Sequence, residues 1–277
     1  MAPTIKVIPN QKLYVSEPDP SWFGNGPNSS SDPAWTNENW LKSRFHFSFA
    51  EYSNRANQDF GVLRVMNDDL VQPRRGFGTH PHGDMEIVTY IVDGELSHQD
   101  SMGTKESLGR GSIQFMTAGT GVRHSEFNDG DEPLRFIQTW IKPAARGLKP
   151  NYGSYKGNPE ARKNQMHHLV SNVKDSSVST PVEINQDVDA FASEIELGKK
   201  VIHELPKGRQ AYLLCIEGSV KVNGHELHKY DACEITGTGG ALEIEATGTE
   251  ATEHGDLAHL LMFSMNEHPG SGRSDIS

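Results

Sequence analysis

Two residue pairs carry the most specific chemistry in this chain: His80 and His82 in the run GFGTHPH (76–82), and His124 and Glu126 in VRHSE (122–126). Each pair is spaced i, i+2, and in a β-strand residues two apart face the same side. On a helix the same spacing turns through roughly 200°, and Pro81 is a poor helix-interior residue. Three imidazoles and a carboxylate make a mixed nitrogen and oxygen donor set. It suits one divalent first-row transition metal, Fe(II) foremost, with copper, nickel, manganese and zinc as alternatives.

The segments that position these residues read as strands. Residues 4–15 alternate well enough to open the fold, and RFHFSF (44–49) has period two. GVLRVMNDDL (61–70) reads as a strand running into a turn. Glu86 to Val92 is a β-branched, buried-looking strand, Asp93-Gly94 a hairpin turn, and Glu95 to Gln99 the return. GSIQFMTAGTGVRHSEFND (111–129) gives a strand, a glycine-rich turn, and the strand that delivers His124 and Glu126; Leu134 to Ile141 closes this half. Between the first strands, residues 16–39 form a long loop, with Trp22, Trp35 and Trp40 in or beside it. These are expected to pin the loop to the fold, with a lid over a pocket as the alternative.

Residues 143–180 lose this rhythm and read as a connector. Beyond Val182 strand-sized pieces resume, with Asn223-Gly224 as a type I′ hairpin signal. The expected organisation is therefore all-β, with two antiparallel β-barrel (jelly-roll) domains in one chain. They comprise a metal-binding domain at 1–142, the connector at 143–180, a second domain without ligands at 181–265, and a flexible tail at 266–277. Other histidines read as structural or exposed. His46 has no partner at i+2, His167 and His168 are adjacent and cannot converge from one strand face, and His225 and His228 flank a hairpin.

The composition agrees. Hydrophobic residues make up 35% of the 277 and charged residues 23%, with 27 Gly and 15 Pro among short alternating runs. A net charge of -11 argues against direct nucleic-acid binding and fits small-molecule or protein partners. No apolar run approaches the ~18 residues of a membrane span, and the start shows no secretory pattern. Cys215 and Cys233 are the only cysteines, so a cytoplasmic or nuclear protein is expected, read here as a monomer. A G-x-S-x-G elbow, a phosphate-cradling glycine loop and an H-E-x-x-H zinc-protease helix are all absent.

The ordering of H-x-H, a glutamate four residues on, a hairpin glycine and a later histidine resembles the cupin superfamily. Within it, FGTHPHGDMEIVTY (77–90), SHQDSMG (97–103) and MTAGTGVRHSEFN (116–128) resemble the pirin family, including its bacterial quercetinases. The resemblance covers nearly the whole chain and is most specific between about 44 and 142. A generic cupin would use Glu86 as its carboxylate. The pirin resemblance implies instead the glutamate two residues after the last histidine, giving His80, His82, His124 and Glu126, with Glu86 left to hold a ring nitrogen of a ligand. The long Trp-bearing segment after Glu17 departs from compact bacterial members and bears on the pocket entrance.

Four protein ligands leave an octahedral ion two open positions, as an oxygenase needs. The resemblance implies a quercetin 2,3-dioxygenase acting on a small flavonol-like aromatic and dioxygen, with loss of carbon monoxide and Glu126 as the base. The alternative it implies is a non-enzymatic, iron-dependent transcriptional cofactor that binds a regulatory protein.

Overall fold

The computed structural model describes residues 2–28, 39–252 and 255–267. Trp35 and the end of the expected tail, 268–277, lie outside them. The chain divides into two units, Tyr14–Gly157, and Met1–Leu13 together with Asn158–Ser277.

In the first unit one sheet has seven strands, in the order Asn151–Tyr155, Ile113–Thr117, Glu86–Asp93, Leu134–Ile141, Leu63–Val71, Leu41–Phe45 and Tyr14–Ser16. The other has four: Arg75–His82, Val122–Asn128, Leu96–Asp100 and Lys105–Leu108. Sequence alternation decides which faces meet. In Val122–Asn128 every second residue is buried, so Val122, His124, Glu126 and Asn128 point inward. The period that ordinarily buries aliphatic residues here buries an imidazole and a carboxylate. Glu86–Asp93 is buried along almost its whole length, as its β-branched run implies. An apolar cluster of Trp40, Leu41, Val71, Ile91, Leu96, Leu108, Leu134 and Phe136 fills one end of the unit. Beside it the buried Arg135 guanidinium grips Asp68 with two hydrogen bonds of 2.6 and 2.8 Å.

The second unit repeats the plan. Its larger sheet runs Thr4–Ile8, Ala232–Thr236, Arg209–Glu217, Gly255–Asn266, Val188–Glu196, His167–Asn172 and Val182–Ile184, with Glu250–Thr252 added on Gly255–Asn266. The smaller runs Lys200–Leu205, Gly240–Gly248, Ser219–Val222 and His225–His228. Its core is aliphatic, including Leu213, Val220, Val222, Leu242, Ile244 and Leu260. The Asn223-Gly224 turn has positive φ at both residues, as a type I′ hairpin requires. The pairings are antiparallel, except that Val182–Ile184 runs parallel to His167–Asn172. The ladders do not close on themselves among the described residues, so each unit is a two-sheet jelly roll.

Three boundaries differ from the sequence-based expectation. Thr4–Ile8, expected to open the metal-binding domain at 1–142, pairs with Ala232–Thr236 and belongs to the second unit. The expected connector, 143–180, holds sheet strands: Asn151–Tyr155 is an edge strand paired with Ile113–Thr117, and His167–Asn172 pairs with Val188–Glu196. The partners lie far away in sequence, and periodicity within a segment carries no information on which edge it joins. Asn266 ends the strand Gly255–Asn266 rather than beginning the tail expected at 266–277. No helix among the described residues is long and apolar enough to cross a membrane.

Candidate metal centre

His80 and His82 sit near the end of Arg75–His82, which pairs antiparallel with Val122–Asn128 so that His124 lies opposite His80. A bulge between His124 and Glu126 shifts the register and sets Glu126 opposite Phe77. Bulges re-aim side chains next to functional sites. The preceding turn is held by Gly119, at φ +45°, where an added Cβ would collide with the Leu148 carbonyl. No side chain fits there. A break at 83–85, with Asp84 at φ +48°, separates His82 from Glu86, so the two do not share one strand face. Glu86 is buried and accepts a 2.9 Å hydrogen bond from Thr117 Oγ1.

The three histidines converge. Ring centroids lie 4.7 Å apart for His80 and His82, 4.5 Å for His80 and His124, and 4.8 Å for His82 and His124. His80 Nδ1 lies 2.8 Å from the Gly78 carbonyl. A carbonyl can only accept, so in the neutral ring Nδ1 carries the proton and Nε2 is bare. That Nε2 is 3.1 Å from His124 Nε2. Two nitrogens each about 2.1 Å from an ion and at right angles around it lie about 3 Å apart, so the spacing fits two adjacent ligands of one metal ion.

Glu126 is buried and groups with His124 and His98 rather than with His80 and His82. Gln138 Nε2 donates to its Oε2 at 2.7 Å and Gln114 Nε2 to its Oε1 at 3.1 Å. Thr89 Oγ1 lies 3.2 Å from Glu126 Oε1 and 2.8 Å from Gln138 Oε1, and its single proton serves one at a time. Behind His124, His98 bonds Asp100 at 3.1 Å and stacks on Tyr152.

Burial and mutual repulsion set the charges. Burial lowers the pKa of His80, and holds His82 at about 4 and His124 at about 2, where the neighbouring histidines add to the effect. Burial lifts Glu126 to about 7, against the hydrogen bonds from Thr89, Gln138 and Gln114 that favour its ionised form. Without a cation the site is therefore a set of neutral imidazoles beside an acid poised near neutrality. Such a donor set accepts a divalent ion without first shedding protons from its histidines.

His80, His82 and Glu126 all line a cavity of about 150 Å³ whose apolar walls are Trp22, Phe23, Phe49, Phe77 and Trp140. The two readings of the tryptophans divide. Trp40 is fully buried and pins the loop, whereas Trp22 is 42% exposed at the cavity wall. Phe23, at φ +54°, packs over Gly78 and 5.6 Å from the His80 ring.

The histidines read as structural or exposed stand apart from this cluster. His46 is buried, His168 pairs with Asp189 at 3.0 Å and stacks on Phe191, and His225 and His228 are exposed. In the second unit, buried charge is arranged in pairs, Arg162 with Glu194 at 3.0 Å and His259 with Glu217 at 3.1 Å. Both groups of residues spaced to hold a metal, among the described residues, fall in the first unit. Sequence reasoning did not single out Thr89, Gln114, Gln138 or Trp140. Their signal is weak, polar or aromatic residues at alternate positions of otherwise apolar strands.

Two jelly rolls in one chain, the first with a cluster of histidines and a buried glutamate that could hold a metal ion, define a two-domain cupin. The chain belongs to the pirin family: the pirin profile matches residues 29–141, and one described as the quercetinase C-terminal cupin domain matches 169–264. It is 39% identical over 196 residues to a pirin-like protein of Caulobacter vibrioides, spanning 71% of this chain and 84% of that one. A quercetin 2,3-dioxygenase of Escherichia coli K12 is 36% identical over 200 residues, spanning 72% and 84%. Among solved structures, the bacterial pirin YhhW of Escherichia coli in complex with nickel(II) matches with a TM-score of 0.76 and 28% identity. That match covers 96% of this chain and 100% of that one.

Proposed function

We propose that this protein is a metal-dependent dioxygenase of the quercetin 2,3-dioxygenase kind, with one Fe(II) held by His80, His82, His124 and Glu126. The observation that carries this reading is the convergence of three imidazoles, two of which line an aromatic-walled cavity together with Glu126. The relatives named for quercetin dioxygenation support the choice of a flavonol substrate. The bound metal supplies a Lewis acid and the redox partner that dioxygen needs.

The chain's residues do the remaining work. Phe23, Phe49, Phe77 and Trp140 take the planar rings and exclude water. Glu126 accepts the proton of the flavonol 3-hydroxyl; its buried, near-neutral carboxyl matches a base working near pH 7. Gln114 and Gln138 fix the carboxylate so that its open lone pair faces the cavity. Dioxygen contributes both oxygen atoms to the opened ring product, and the carbon between them leaves as carbon monoxide.

The test is aerobic incubation of iron-loaded protein with quercetin, following flavonol absorbance and carbon monoxide together. The proposal expects both to change in equal amounts, and only with metal. Loss of absorbance without carbon monoxide, at the rate of the metal-free control, contradicts it.

A further inference from the structure

We propose that the cavity at the metal centre is the inner half of a two-chamber site, whose outer chamber receives a second aromatic portion of the ligand and takes a phenolic hydroxyl on Asn67. The inference rests on the dioxygenase reading for the inner chamber and adds the feature of the ligand that the protein selects.

A second cavity of about 200 Å³ adjoins the first, and the two share Trp22, Phe49, Asn67, Asp69 and Phe77 as walls. Neither alone reaches the roughly 300 Å³ at which pockets for drug-sized ligands begin. Taken together they do. The outer chamber is apolar at Leu41 and Phe45, and polar at Ser16, Ser43 and Glu51. Its lining among the described residues includes Asp19, Glu51 and Asp69 but no Lys, Arg or His. Such a chamber disfavours an anionic group and suits a neutral ring that donates hydrogen bonds.

Asn67 supplies the specific acceptor. It and Asp69 are two apart on Leu63–Val71 and face the same side, while Asp68 between them is held by Arg135. The Asp69 carboxyl already accepts from the Ser43 hydroxyl. Asn67 is 4% exposed, and its Oδ1 has no hydrogen-bond partner among the described residues. A buried carbonyl oxygen without a donor is unfavourable, and a ligand hydroxyl relieves it. Because Asn67 lies in the wall common to both chambers, that hydroxyl would set how far the chelating end reaches toward the histidines.

The experiment measures calorimetric binding to metal-loaded protein without oxygen, using quercetin, 3-hydroxyflavone, which lacks the other hydroxyls, and catechol, a single chelating ring. Wild type is expected to bind quercetin about tenfold more tightly than 3-hydroxyflavone, and Asn67→Leu to erase most of that difference. Ser16→Leu, which fills the outer chamber alone, is expected to weaken both flavonols about tenfold or more while catechol affinity stays within about twofold. The inference is overturned if Asn67→Leu keeps the preference for quercetin, or if Ser16→Leu shifts catechol as much as the flavonols. Should this pattern hold while no oxygen is consumed, the dioxygenase reading falls and the two-chamber site stands. Normal turnover with the pattern absent removes the outer chamber alone.

Discussion

Replacing Glu126 by Gln keeps the volume and one carbonyl oxygen but removes the charge, and the surroundings of the side chain decide the effect. In the metal-free protein, burial holds the Glu126 carboxyl at about 7 against an ordinary 4.5. The folded state then keeps a proton that the unfolded chain releases. Stability is complete below the unfolded value and is lost as pH rises from 4.5 toward 7, in total about 3 kcal/mol. The Gln variant has no such group and escapes this loss. Against that, its amide nitrogen faces Gln138 Nε2, which donates to Glu126 at 2.7 Å, and losing that bond costs about 1 kcal/mol. Metal-free Glu126→Gln is therefore expected to be up to about 1 kcal/mol less stable than wild type at the acid end of the window and about 2 kcal/mol more stable at pH 8. Asp69, which burial and the nearby Asp68 and Glu126 charges lift to about 8, gives both proteins a fall of the same sign; without the Glu126 charge the variant's fall is the smaller, which adds to the difference rather than reversing it. With metal restored, flavonol turnover per bound ion should drop about 10²- to 10⁴-fold. Urea unfolding of chelator-treated protein across this pH range, with turnover normalised to metal content, reads both effects. A stability difference that keeps one sign throughout would refute Glu126 as the buried titrating acid, and unchanged turnover per metal would refute it as the base.

The same geometry sets three further outcomes. One metal ion should bind per chain, and a His80→Ala, His124→Ala double variant should lose it; two equivalents by elemental analysis, or metal retained in the variant, would contradict the assignment. Because His82 and His124 are held at about 4 and about 2 while Glu126 sits at about 7, metal uptake at pH 6 should release about one proton, from Glu126. Calorimetry in buffers of different ionisation enthalpy measures the count, and a release near three would mean that the histidines keep ordinary values. Finally, Asp68→Ala strands the Arg135 guanidinium, which is 6% exposed and doubly bonded to Asp68, and should cost about 3–5 kcal/mol; a loss below 1 kcal/mol in chemical unfolding would show that water reaches that pair.

The histidine cluster was legible because its information is local. His80 and His82, like His124 and Glu126, are two apart in strand-like sequence, so each pair shares a face whatever the rest of the fold does. The Asn223-Gly224 turn was legible for the same reason. What stayed hidden depends on register between distant segments. Gln114, Thr89 and Gln138 reach Glu126 from Ile113–Thr117, Glu86–Asp93 and Leu134–Ile141, three neighbouring strands of the opposite sheet, and no local period announces that meeting. Thr4–Ile8 was misassigned for a like reason: an edge strand's partner is chosen by the open ladder it meets, here Ala232–Thr236.

The most direct test joins metal content to chemistry in one sample. Protein carrying one equivalent of iron is placed in an oxygen electrode with quercetin, beside His124→Ala protein shown to carry none. The proposed function predicts one dioxygen consumed per flavonol lost in the first sample and no uptake above background in the second. Full iron occupancy with no oxygen uptake would contradict it, and would leave the cluster as a metal site whose role is to be sought in binding a regulatory protein.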